Sequence, residues 1–223
     1  MTSEQTTQGI ARRVFTRGLL SALVVQLAFV PLTIAADGED ALVAEPTKII
    51  DEAAQKIVAV LARTEEPAEV RIGEIEEIAY EIFDFTTMSK LVLARNWRKL
   101  DKEKRAEFVR EFRTHLSRTY GTRLDNFSDI GVDVYGAQIE VRNDVTVKSR
   151  VVGGQFDGSE LAYRMRNRKE EWKIIDVVIE GVSLVSNYRS QFATVLNGGT
   201  IDDLITKLKD KNFVVESGEA EAG

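Results

Sequence analysis

Near residue 130 the hydrophobic period of the chain changes from helical to strand-like, and this switch limits the fold more than any other feature. Upstream, "DKEKRAEFVREFRTHLSRTYGTRLDNF" places Val109, Phe112, Leu116, Tyr120, Leu124 and Phe127 along one helical stripe. Downstream, "GVDVYGAQIEV", "DVTVKSRVV", "SELAYRMR" and "EWKIIDVVIE" alternate apolar with polar residues. Turn signals separate them at Arg142-Asn143-Asp144, at Gly153-Gly154 with Asp157-Gly158, and from Asn167 to Glu170. Loops this short join antiparallel neighbours. Helical spacing then returns. Helices, a meander and helices again predict one α+β domain, with a curved antiparallel sheet of about four strands covered by several helices.

The helical stretches carry start signals of their own. Thr47 suits the N-cap of "TKIIDEAAQKIVAVLAR", whose Ile50, Ala54, Ile57 and Leu61 share a face. Breaks are expected near Pro67 and at Phe83-Asp84, with Asp84 capping a helix that carries Met88, Leu91 and Val92. Asp101 and Thr200 suit the caps of two later helices. The domain is expected over 47–212, after an acidic linker at 37–46 and before a disordered acidic tail at 213–223.

The amino terminus differs from the rest. Arg12, Arg13 and Arg17 precede the uncharged run "GLLSALVVQLAFVPLTIAA", with Thr-Ile-Ala ending at Ala35. A basic region, an apolar region and small residues at the end predict a cleavable export signal over 1–36. An uncleaved membrane anchor is the alternative, although Gln26 and Pro31 shorten the apolar core. The general secretory route is expected, while "RRVFTR" also resembles a twin-arginine signal. With no cysteine in the chain, disulfides, thiolate metal sites and a lipidated amino-terminal cysteine are excluded. A bacterial periplasm fits an exported protein of this kind.

Catalytic patterns are weak. Ser183, Ser186 and Ser190 have no Gly-x-Ser-x-Gly elbow, and the single histidine, His115, lies off the helical stripe as a solvated or hydrogen-bonded side chain. Asp176 and Glu180 flank the end of a strand and suit turn and helix-end hydrogen bonding better than glycosidase chemistry. No metal-ligand spacing occurs, and a net charge of −6 gives no footprint for nucleic acid. The chain is read as a non-enzyme without metal or cofactor. What the corner "DVVIEGVSLVSNYRSQF" does carry is bulk: a strand passes into a helix with Val182, Val185, Tyr188 and Phe192 at helical spacing. Periodicity alone leaves open whether these residues form an ordinary core or the wall of a pocket.

"WKIIDVVIEGVSLVSNYRSQF", "FDFTTMSKLVLARNWRKL" and "FVREFRTHLSRTYGTRL", in that order, resemble the MlaC family, also called toluene-tolerance auxiliary proteins. The likeness spans about 46–212. One departure is Ala94, where the family's Leu-Gly-x-x-Trp-Arg pattern has glycine. The resemblance implies a soluble periplasmic phospholipid carrier, acting between outer and inner membranes to maintain outer-membrane lipid asymmetry. It implies a deep apolar pocket for acyl chains, phospholipid as cargo, and no chemistry on that cargo. Docking partners would be an outer-membrane lipoprotein complex and an inner-membrane ABC transporter with a lipid-binding ring. Tyr163, Met165, Trp172, Val178 and Leu184 become candidates for pocket wall or supporting core, together with Val185, Tyr188 and Phe192. Met88 and Leu91 join them from covering helices. Arg189 either meets a headgroup phosphate or forms a salt bridge with Asp176 or Glu180. An exported scaffold without cargo, or a carrier of another apolar lipid such as a hopanoid, would use the same fold.

Overall fold

The alternating segment folds into a five-stranded antiparallel sheet in sequence order, in a computed structural model that describes residues 36–124 and 129–210. The strands are β1 (Gly131–Ile139), β2 (Val145–Val152), β3 (Glu160–Arg168), β4 (Glu171–Ile179) and β5 (Val182–Ser183). The first three turns fall at the signalled positions, with left-handed backbone at Arg142, Asn143, Lys169 and Glu170. The two-residue β5 adds a fifth strand to the expected four. It arises because Glu180 and Gly181 both take positive φ, as a two-residue hairpin turn requires, and Ile179 then pairs with Val182.

Registry gives the sheet one apolar face. Val145 lies beside Met165, and Met165 beside Ile174; Val147 lies beside Tyr163, and Tyr163 beside Val177. Between these rows β4 carries one extra residue, Ile175, because Arg164 pairs with Asp176 and Met165 with Ile174. This bulge reverses the alternation, so Ile174 and Val177 face the same way despite their odd spacing.

Helices α1 (Ala36–Leu61) and α2 (Ala68–Ile82) cover that face. Here the structure corrects two expectations. Residues 37–46 are not a linker but the first turns of α1, and Thr47 does not cap it; its hydroxyl donates to the Val43 carbonyl at 2.7 Å. Pro46 sits inside the helix and removes one backbone donor, at a typical cost of about 3 kcal/mol. Leu42 and Val43 pack against the sheet on the far side of that proline, and their burial offsets the loss. The export segment, apart from Ala36, and the tail at 213–223 lie outside the described residues. Among the described residues no helix is long and apolar enough to cross a membrane.

Helices α3 (Phe85–Leu93), α4 (Lys102–Leu124), α5 (Leu184–Gly198) and α6 (Ile201–Lys209) form a second layer. Asp84 caps α3 by accepting from the Thr87 N–H at 2.8 Å, and Asp101 accepts from the Lys104 N–H at 2.7 Å. Thr200 and Asp203 form a reciprocal capping box on α6. The centre is aromatic: Phe112 meets Tyr188 and Phe192 edge to face, with centroids 5.2 and 5.6 Å apart. Phe108 and His115 are buried alongside, whereas Val109 of the expected stripe faces outward into a groove. His115 Nε2 lies 3.1 Å from the Tyr188 hydroxyl. Burial, followed by the nearby charge of Arg118, lowers its pKa to about 4.

Ala94 ends α3 at φ 48°, ψ −119°, a conformation unstrained only in glycine, so Ala94→Gly should raise unfolding stability by about 1 kcal/mol in urea titrations. The unfolded chain binds a proton on His115 near pH 6.5 while the folded chain does not until about pH 4. Stability should therefore fall as pH drops through this window, by roughly 2 kcal/mol, and His115→Gln should flatten that slope.

Candidate functional site

The structure distributes the apolar candidates between two compartments. In the first, Val145, Val147, Met165, Trp172, Ile174 and Val177 of the sheet meet Ile50 of α1, with Leu42, Val43, Ile82 and Phe83 packed around them. Val145, Val147, Met165 and Ile174 are 0 % exposed, so side chains fill its centre. Tyr163 and Leu184 border the same compartment. Burial pushes the Tyr163 phenol above its ordinary pKa, against a weaker opposing pull from Ser149, so Tyr163 stays neutral in this apolar setting.

The second compartment lies within the helical layer. Met88, Val185, Tyr188 and Phe192 are buried there among α3, α4, α5 and α6, with Leu91 partly buried against them. The candidate list thus does not form one wall. Helical spacing along α5 sends its apolar stripe into the aromatic core and leaves Leu184, at the helix start, to touch the sheet compartment. Val178 belongs to neither group; it follows Val177 on β4 and points to the opposite sheet face.

Polar groups of the opening corner serve the junction between strand and helix. Asp176 is 1 % exposed, yet its carboxylate accepts from the Ser183 hydroxyl at 2.6 Å and the Val185 N–H at 3.0 Å. Ser183 Oγ in turn accepts from the Ser186 N–H at 3.0 Å, capping α5. Glu180 accepts from the Glu160 N–H across the sheet at 2.6 Å. Arg189 departs from the expected salt bridge: its Nε donates to the Leu91 carbonyl at 2.8 Å, joining α5 to α3. The ion-pair partner of Asp176 is Arg164, at 3.9 Å. Arg189 therefore belongs to the contact between α5 and α3.

A groove of about 540 Å³ opens at the end of the sheet where the β1–β2 and β3–β4 turns meet the start of α1. Leu42 and Trp172 supply apolar walls, and Arg142, Asn143 and Asn167 supply polar ones. Arg166 grips Asp144 through two hydrogen bonds, at 2.7 and 2.6 Å. Leu42 and Trp172 are shared between this groove and the packed apolar compartment. Such a volume lies within the range of roughly 300–1,000 Å³ for small-ligand pockets. Sequence reasoning missed Leu42 because it fell in the supposed linker. Arg142 and Arg166 stood in a turn and a strand with no spacing that marked them.

Among the described residues no group of three or more potential metal ligands converges.

A family model described as "MlaC protein" matches residues 51–210. A toluene tolerance protein of Pseudomonas putida is 25% identical over 134 residues, covering 59% of this chain and 62% of that protein. The intermembrane phospholipid transport system binding protein MlaC of Haemophilus influenzae is 25% identical over 122 residues, covering 53% and 57%. The matches thus span about three fifths of these relatives' length. Among solved structures, a phospholipid-binding protein from Ralstonia solanacearum, determined in complex with a phospholipid, superposes with a TM-score of 0.66. It shares 21% identity over 74% of this chain and 96% of that one, which is a likeness of fold.

The Arg166–Asp144 pair at the groove is testable by a double-mutant cycle. Asp144 is 6 % exposed, so Arg166→Leu should cost about 1–3 kcal/mol by leaving a buried carboxylate without its partner. Adding Asp144→Leu should recover much of that loss in urea unfolding.

Proposed function

The chain belongs to the MlaC family, and on that premise we propose that it carries phospholipid, lodging acyl chains between the sheet and the α1–α2 layer. The observation that carries this reading is the apolar compartment itself, bordered at one end by an arginine-bearing groove that shares Leu42 and Trp172 with it. Tyr163, Met165, Trp172 and Leu184 would line the tails, and the groove at Arg142 and Arg166 would receive the headgroup. Met88, Leu91, Val185, Tyr188 and Phe192 would support this compartment from the helical layer.

Energetics fit a carrier. Two acyl chains hold on the order of 30 methylenes, whose removal from water is worth roughly 24 kcal/mol at about 0.8 kcal/mol each. This exceeds any attainable net affinity. Bilayer and pocket are both apolar, so transfer between them is close to balanced, and release needs no bond to break. Because side chains fill the compartment, tails enter as α1 parts from the sheet. Pro46 favours that motion: the backbone bond to Leu42 is missing, so the first turns of α1 can bend away from Trp172.

The wider role we propose is that of an exported, periplasmic carrier moving phospholipid between the outer and inner membranes and so maintaining outer-membrane lipid asymmetry. It would exchange cargo with an outer-membrane lipoprotein complex and an inner-membrane ABC transporter. Energy from ATP would be spent in the transporter, and this chain would act without catalysis.

Purified protein should retain about one phospholipid per chain, measured by native mass spectrometry and by extraction. Leu42→Glu, at the partly exposed mouth, should lower that occupancy severalfold while the protein keeps its circular dichroism and a cooperative melt. Lipid-free protein that still assembled with membrane complexes would replace the carrier reading with a scaffold. A hopanoid in the extract would keep the compartment and change the cargo.

A further inference from the structure

A second groove, of about 450 Å³, lies on the helical layer and takes no part in the lipid compartment. Its floor is apolar, with Trp97, Ala106 and Val109; its rim carries Arg105, Arg110 and Arg113 of α4. These arginines extend over residues 105–113, about 12 Å along the helix at 1.5 Å per residue.

Charge here runs against that of the whole protein. The chain has a net charge of −6, yet residues 95–113 carry eight basic and four acidic side chains. Three of those acids are engaged. Asp101 caps α4, Glu107 binds Lys104 and Lys209, and Glu111 meets Arg110. Arg105 and Arg113 form no ion pair among the described residues. Arg105 instead donates to the Trp97 carbonyl at 3.2 Å and lies 5.4 Å from the centre of its ring. The Arg113 guanidinium stacks 4.2 Å above Tyr80, and its Nε is buried without an acceptor. Lys90 approaches the Trp97 ring at 5.9 Å.

Aromatic contacts hold this groove in place. Tyr80 meets Phe85 edge to face at 5.9 Å, and Phe85 stacks on Phe83 at 5.6 Å. Phe83 belongs to both apolar compartments. The guanidinium groups of Arg105 and Arg113 are therefore presented on a packed support rather than on free side chains, which lowers the entropy lost on binding.

We propose that this groove docks an acidic segment of a partner protein, with an apolar side chain on Trp97 and Val109 and carboxylates on Arg105, Arg110 and Arg113. Arginine and tryptophan are the residues that most often dominate such contacts, and guanidinium matches carboxylate through two parallel hydrogen bonds. A single phosphate cannot span three arginines distributed over two turns. The net charge of −6 on the whole chain disfavours an anionic membrane surface as the occupant.

A fluorescein-labelled peptide, Glu-Glu-Leu-Glu-Glu-Leu-Glu-Glu, tests the proposal by polarisation and by amide chemical-shift mapping on the lipid-loaded protein. At about 50 mM salt it should bind and shift Thr86, Trp97, Ala106 and Val109, and about 0.5 M salt should abolish binding. The lysine analogue should not bind. Arg105→Glu with Arg113→Glu should weaken the acidic peptide at least about tenfold without changing lipid content. Arg110→Glu, on a solvent-facing side chain, gives the same readout should the double variant fold poorly, with a loss of about threefold or more. Absent binding, or binding unchanged in these variants, would overturn the proposal. So would tighter binding, through the same arginines, of vesicles containing anionic phospholipid. Peptide binding only after removal of residues 211–223 would assign the groove to the chain's own acidic tail and equally overturn it.

Discussion

One face of the sheet must be kept from water, and almost every other feature answers to that requirement. Val145, Val147, Met165, Ile174 and Val177 stand on neighbouring strands in register, so their apolar surfaces merge into one sheet-wide layer. An antiparallel meander cannot cover such a face by itself. Helix α1 runs across it, and the gain from burying Leu42 and Val43 is enough to keep a proline inside the helix. The cover is thus held by side-chain packing at a place where its own backbone ladder is weakened. A lid of this kind can loosen locally without unfolding the sheet beneath it.

The junction between the two layers is polar and closed. Asp176 is buried at the end of β4, where it satisfies Ser183 and the first turn of α5, and Ser183 passes the same service to Ser186. A carboxylate here fixes the angle at which the helical layer leaves the sheet. These contacts give an acidic residue and several serines standing together at this corner a structural role.

Much of this was legible in the residues, and the exceptions have physical causes. Strand alternation located the first four strands and their turns, and Asp84, Asp101 and Thr200 marked three helix starts. Alternation failed at Ile175, where one inserted residue reverses the facing of β4 and makes four successive side chains buried. Acidic residues and Pro46 hid the start of α1, because local propensity there is overruled by contact with the sheet. The MlaC-like fold followed from the resemblance, but helical spacing in α5 could not say which of two cores its stripe would enter. Tyr188 and Phe192 joined Phe112 in the helical layer, while Met165 and Trp172 remained with the sheet. Arg189 found a carbonyl of α3, a partner that no sequence spacing encodes.

Phe83 gives the arrangement a further property. It touches Ile174 through a backbone bridge, stacks on Phe85, and through Tyr80 reaches the guanidinium of Arg113. Cargo and partner would then act on opposite ends of one line of rings. Whatever free energy the cargo adds to or removes from partner affinity, the partner must return to cargo affinity in equal measure. Directionality in such a pair cannot reside in this chain alone at equilibrium; it has to come from a process outside it that consumes energy.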